Sequence, residues 1–156
     1  MAIAHTLEDY MMSKGIDYEV VAHPRTLSSI ETAEAAHIPG DALAKAVLLE
    51  DDDGYLMAVI PATHHIKLGR LSEQLNRKLR LAVESELTPL FKDCQTGAVP
   101  PLGMAYGMPT IVDDSLIEQP DIYFEAGDHE ELIHLSGGRF QSLLAGARHG
   151  RFSQRM

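Results

Sequence analysis

Lys45 is the side chain most suggestive of chemistry, because it is the one cation in an otherwise apolar run, Ala44-Lys45-Ala46-Val47-Leu48-Leu49. A charge there must face solvent or lose its hydration. At the start of a strand it can point into a cleft and hold an anion such as a phosphate; an ordinary exposed strand lysine is the plainer alternative. The second feature is the loop Gly97-Ala98-Val99-Pro100-Pro101-Leu102-Gly103. Its glycines let a ligand approach the backbone, and its prolines stiffen the segment in advance. A stiff loop with exposed N–H groups can hold a carbonyl oxygen as charge develops on it. A tight structural turn has the same composition.

Other chemistries find less support. His64 and His65 are adjacent, and His129 and His134 lie five apart, but no His-Glu-x-x-His or paired-cysteine spacing marks a metal site. His64 or His65 remains available as a substrate contact. Cys94 is the only cysteine, so no intramolecular disulfide forms, and no Gly-x-Ser-x-Gly elbow supplies a nucleophile. Gly-x-Gly-x-x-Gly and phosphate-loop motifs are also missing, so nucleotide cofactors have no support.

A formal net charge of −10 argues against broad, salt-driven binding to long nucleic acid. A local basic patch is compatible with it. Lys67, Arg70, Arg77, Lys78 and Arg80 fall close together, and Arg139, Arg148, Arg151 and Arg155 mark the C-terminal end. The bland reading of both groups is a solvated helix face and a solubilising tail. The N-terminal segment does not look like a secretion signal, no apolar run approaches the roughly 20 residues of a membrane span, and the cytoplasm is the default compartment.

These residues need elements to position them. At 156 residues the chain fits one domain with room for a core. Apolar spacing predicts helices from about Ala2 to Ser13, from Ser28 or Ser29 to His37, over Leu68–Leu79, from Ser85 to Phe91 and over Gly138–Leu144. Strands are predicted at Tyr18–Val21, Ala44–Leu49, Tyr55–Ile60, Leu81–Val83, Thr110–Val112, Ile122–Phe124 and Glu131–Leu135. Asp52-Asp53-Gly54 reads as a hairpin turn. The interspersed order predicts an α+β or mixed α/β fold. Residues 1–147 are expected to form the single domain, and 148–156 a basic, mobile tail.

His23-Pro24, Thr32-Ala33-Glu34-Ala35-Ala36, Ala44-Lys45-Ala46-Val47, Val59-Ile60-Pro61-Ala62 and the Gly97–Gly103 loop occur in the order seen in one family. Together they resemble the YbaK/aminoacyl-tRNA synthetase-associated domain family, the prolyl-tRNA synthetase editing-domain superfamily, over roughly Ile16 to Leu144. The resemblance implies a compact mixed sheet, partly closed like a barrel, with flanking helices. It implies a freestanding deacylase that hydrolyses the ester of a mischarged, small amino acid on tRNA. Lys45 would contact the terminal nucleotide. Gly97, Ala98, Val99 and Pro101 would hold the aminoacyl carbonyl and help place water, with the substrate's own ribose hydroxyl assisting. Ser28, Thr32, Ala46, Pro61, His64, His65 and Gly103 would contact substrate, and Lys67, Arg70 and Arg77 the tRNA. The implied partners are the 3′ acceptor end of mischarged tRNA and, as a further candidate, an aminoacyl-tRNA synthetase; no membrane, metal or organic cofactor is implied. Ala46 stands where many members have a polar residue, and Pro100 where a small polar one is common. The alternative function is a non-catalytic module on the same fold that binds a small ligand, an RNA end or a protein.

Overall fold

The computed structural model describes residues 3–26, 28–95 and 98–156. In chain order its elements are α1 (His5–Ser13), β1 (Glu19–Ala22), α2 (Ser29–Ala36), β2 (Leu43–Asp51), β3 (Gly54–Pro61), β4 (His64–Ile66), α3 (Leu68–Leu75), β5 (Arg80–Leu81) and α4 (Glu84–Leu90). There follow β6 (Thr110–Asp113), α5 (Asp114–Ile117), β7 (Asp121–Glu125), β8 (Glu131–Ser136), α6 (Gly137–Leu143), β9 (Arg148–Gly150) and β10 (Ser153–Arg155). This is the mixed α/β fold expected, a mixed sheet with flanking helices.

The β2–β3 hairpin is the spine of the sheet. Its register runs from Asp51↔Gly54 at the turn to Ala44↔Pro61 at the open end. Gly54 sits at φ 133, a left-handed conformation that an L side chain rarely adopts, so the Asp-Gly pair fixes the turn. The strand order is β1-β8-β7-β2-β3-β6-β9, with β5 added to β2, and β10 pairs separately with β4. The pairings β2–β7, β3–β6 and β6–β9 are parallel and the others antiparallel.

Strand alternation sends side chains to different layers. Ala44, Leu48, Met57 and Val59 join Leu7, Met11, Phe91, Phe124 and Phe140 in the largest apolar cluster. Leu49, Leu56, Ala58 and Ile60 face the other way and pack with Leu71 of α3 and Phe152. A third cluster sets Ala33 of α2 against Leu43, Ala62 and Leu132. Each such Leu or Phe contributes about 1.5–3 kcal/mol on leaving water.

Three local expectations change. The helix predicted over Leu68–Leu79 stops at Leu75, because Asn76 turns left-handed at φ 53; Leu79 is still buried, reached by a chain reversal rather than another turn. The helix expected to be capped by Ser85 begins at Glu84, and the Val83 N–H donates to Glu86 Oε1 at 3.2 Å. The first helix starts at His5; Ala2, where it was expected to begin, lies outside the described residues.

The largest correction concerns residues 148–156. Instead of a mobile tail they form two paired strands, β9 along β6 and β10 along β4. Phe152 between them is fully buried. Asp113, itself buried, accepts hydrogen bonds on Oδ1 from the N–H groups of Phe152 at 3.0 Å and Ser153 at 3.1 Å. One aromatic and one buried carboxylate thus outweigh a composition that reads as solvated. Asp113→Ala is expected to cost about 1–3 kcal/mol in urea unfolding, since it strands several buried donors. It should also speed trypsin cleavage after the exposed Arg148 and Arg151 by loosening the strands that hold them; an unchanged cleavage rate would mean that Asp113 does not hold this segment.

Candidate active site

β2 has two neighbours on its outer edge, and neither covers its middle. β7 pairs in parallel only at Leu43↔Tyr123 and Ala44↔Phe124. β5 joins only at Leu49↔Leu81 and Glu50↔Arg80. The strand edge between them is open, and a cleft enclosing about 110 Å³ lies against it. Ala44, Lys45, Ala46 and Leu48 of β2 and Met57 of β3 form one side. Leu87 and Phe91, from α4 and its end, form another, and Ser29, Val99 and Glu125 complete the lining.

One more step of the β2–β7 register would set Lys45 opposite Glu125. The two strands part there instead, and the two side chains do not form an ion pair. Lys45 is half-buried, with Nζ 3.5 Å from the Ala62 carbonyl oxygen. Burial holds its ammonium pKa below the ordinary lysine value.

Glu125 ends β7 and is only 8% exposed. Its Oε1 lies 3.3 Å from Thr32 Oγ1, and its Oε2 is buried with no hydrogen-bond partner. Burial, reinforced by the nearby Asp128 carboxylate, pushes the Glu125 carboxyl up to about 7, against a smaller opposing effect of the Thr32 hydroxyl. Thr32 has one proton and also approaches the Ser28 carbonyl at 2.9 Å. When it donates to that nearer oxygen, a protonated Glu125 can donate to Thr32. The threonine is further held by Thr26 Oγ1 at 2.5 Å.

The loop between α4 and β6 brings Val99 to the cleft, while Ala98, Pro100 and Pro101 are buried beneath it. The Ala98 N–H is used within the loop, donating to Gln95 O at 3.0 Å. Among the described residues the Val99 N–H has no partner. Gly97, expected to begin the carbonyl-binding turn, lies outside the described residues.

Of the residues named from sequence, Lys45, Ala46 and Val99 meet in this cleft. Thr32 reaches it through Glu125. Ser28 caps α2, accepting from Glu31 N at 3.2 Å, and its neighbour Ser29 does the lining. Pro61 is buried opposite Ala44, and Gly103 is packed so tightly that a Cβ would sit 2.5 Å from Thr110 Oγ1; both read as structural. His64 and His65 lie on β4, outside the cleft lining, with His64 Nδ1 2.8 Å from Ser153 Oγ. Lys67 precedes α3 and Arg70 is exposed on it, whereas Arg77 is engaged by Asp51 at 2.6 and 2.7 Å. No cluster of three metal-ligating side chains occurs among the described residues. Cys94 is half-buried beside the Tyr106 hydroxyl, and burial pushes its thiol up to about 12, which disfavours a nucleophilic thiolate.

Glu125 escaped the sequence reading, although a carboxylate directly after the apolar Ile122-Tyr123-Phe124 was a visible signal. Leu48, Met57, Leu87 and Phe91 were also missed, because their apolar types mark core and cleft floor alike.

An aminoacyl-tRNA editing domain model matches residues 23–143, most of the chain and all of the cleft residues described above. The chain belongs to that family. Comparison with curated proteins gives no match. Among solved structures, the editing domain is similar to a candidate trans-editing enzyme for prolyl tRNA synthetase, with TM-score 0.82, 21% identity and coverage of 97% of this chain and 96% of that one. It is similar to a hypothetical protein with TM-score 0.85, 20% identity and coverage of 96% and 100%. It also resembles a candidate signal transduction protein from Marinobacter aquaeolei VT8, with TM-score 0.75 and 24% identity, covering 95% of this chain but 30% of that longer one. At these identities the likeness establishes a shared fold. Membership of the family supports a tRNA deacylase-like role. Among the described residues no helix is long and apolar enough to cross a membrane.

The raised Glu125 carboxyl makes stability depend on pH. The folded state keeps a proton that the unfolded chain releases near its ordinary value of 4.5. The contribution is therefore full below about 4.5, declines as pH rises, and is lost above about 7. Across that window the wild type should lose on the order of a few kcal/mol relative to Glu125→Gln, which has no such proton. Urea unfolding of both proteins at several pH values checks this; a difference that does not change with pH would refute it.

Proposed function

We propose that this editing domain is an aminoacyl-tRNA deacylase that removes a small, wrongly attached amino acid from the 3′ end of tRNA. The observation that carries the reading is the convergence of Lys45 and Val99 on one small cleft in a chain of the editing family. The ammonium of Lys45 supplies a point charge for the terminal phosphate. The Val99 N–H supplies a donor for the ester carbonyl, which becomes anionic as water adds; a fixed donor at such an oxygen is worth about 10²–10³ in rate. The loop prolines keep that donor in place before substrate arrives.

Among the described residues the cleft is lined by no histidine or cysteine, and its one carboxylate, Glu125, is buried and held by Thr32; activation of water is assigned to the ribose hydroxyl beside the ester. Its volume of about 110 Å³ and its floor of Ala44, Leu48 and Met57 suit a short side chain and exclude a long one by clash. Lys67 and Arg70 are the basic residues assigned to the acceptor stem. Arg77 is the weaker contact, because Asp51 already neutralises it.

Incubation with a panel of mischarged tRNAs tests this reading, with release of the amino acid followed in time. At least one tRNA carrying a small amino acid should be deacylated. Lys45→Ala should lower that rate by about tenfold or more, the worth of one charge-assisted hydrogen bond. A chelator should leave it unchanged. Deacylation that is indifferent to Lys45→Ala would dismiss the assigned site, and inertness across the panel would dismiss the activity.

A further inference from the structure

Among the described residues, three buried side-chain polar atoms have no hydrogen-bond partner: His23 Nε2, Glu125 Oε2 and Asp128 Oδ2. They gather where β7 turns into β8, since the His23 N–H donates to Glu130 O at 2.9 Å and Asp128 Oδ1 caps the N–H groups of Glu130 and Glu131. Buried orphans of this kind are uncommon and each costs free energy. Of the three, Glu125 alone lines the cleft. It is too buried for bulk water to satisfy, and none of the lysines or arginines among the described residues forms an ion pair with it. The Asp128 carboxylate adds negative potential at the same place. Such a position accepts a cationic hydrogen-bond donor carried in by a ligand.

Resting on the deacylase reading above, we propose that Glu125 receives the α-ammonium of the aminoacyl group and so selects a free amino acid ester over an uncharged acyl ester. The geometry complements such a ligand. Lys45 and Glu125 stand on the two strands at the point where they separate, one cationic and one anionic. The aminoacylated terminal nucleotide of tRNA carries its 5′ phosphate on one side and an ammonium on the other, with the ester between them. Thr32 fixes Oε1 of the carboxyl and leaves Oε2 for the ligand. The apolar floor of Ala44, Leu48, Met57 and Phe91 offers no competing acceptor from its side chains, so among the described residues of the lining the ammonium has one acidic destination. An arriving ammonium also favours the ionised carboxyl, which burial alone resists.

Two stable probes read this without turnover: alanyl-3′-amino-3′-deoxyadenosine, which bears the ammonium, and its lactoyl counterpart, which has a hydroxyl in that position. Calorimetric titration of the wild type near pH 7 should show at least about tenfold tighter binding of the alanyl amide, one good charge-assisted hydrogen bond. In Glu125→Gln the preference should fall below about threefold, mainly by loss of alanyl affinity. The wild-type comparison stands even if the variant folds poorly. Equal wild-type affinity for the two probes, or a preference that survives in Glu125→Gln, overturns the assignment and leaves the deacylase reading intact. Equal kcat losses in Glu125→Gln on alanyl-tRNA and lactyl-tRNA would make the carboxyl a proton acceptor in the reaction, and also overturn it. Binding of neither probe overturns it too; the mischarged-tRNA panel then shows whether the deacylase reading falls with it.

Discussion

The separation of β2 from β7 after two paired residues is the constraint from which the rest of the site follows. A sheet edge left open inside a fold exposes backbone groups and side chains that would otherwise be covered. Here the gap is bounded at one end by β7 and at the other by β5, so it is short and its walls are fixed by pairing. The hairpin partner β3 pairs with the opposite edge of β2 from Ala44 to Asp51, which holds the strand where its outer neighbour leaves. A cleft made in this way sits on rigid elements and takes its chemistry from the strand ends that border it.

The low-dielectric setting gives that chemistry its character. Lys45 and Glu125 are both held toward their neutral forms by burial, and neither rescues the other by direct contact. In water the same groups would be fully charged and well solvated. In the cleft they are unsatisfied hosts, and a ligand bearing opposite charges can supply what each lacks. The same logic explains the inert cysteine: a thiol in apolar surroundings beside an acidic residue has little tendency to ionise.

Much of this was legible in the sequence. The hairpin could be read from Asp52-Asp53-Gly54 between two apolar runs, and Lys45 stood out as a lone cation. The strands at Thr110 and Ile122 could be read from short runs of strand-type residues, and the one at Glu131 from alternation. What could not be read was tertiary. Lys45 and Glu125 are 80 positions apart in number, and only the parallel register of β2 with β7 brings them to one fork. The helix after Lys67 looked longer than it is, because Leu79 repeats the spacing although Asn76 reverses the chain. The C-terminal residues looked solvated because arginines dominate them, while a single Phe152 and the distant Asp113 decide their fate. His64 and His65 drew attention by their chemistry, yet strand pairing with β10 gives them structural surroundings.

That last pairing has a consequence for how the molecule can be handled. The Met156 N–H donates to Thr63 O at 3.0 Å, and Asp41 bonds both Thr63 and Arg155. Thr63 directly follows Ala62, whose carbonyl oxygen approaches the Lys45 ammonium. The end of the last strand is thus clamped one peptide away from the group that steadies the lysine. Pulling on the backbone at Met156 would load that clamp, so force applied there is passed toward the cleft.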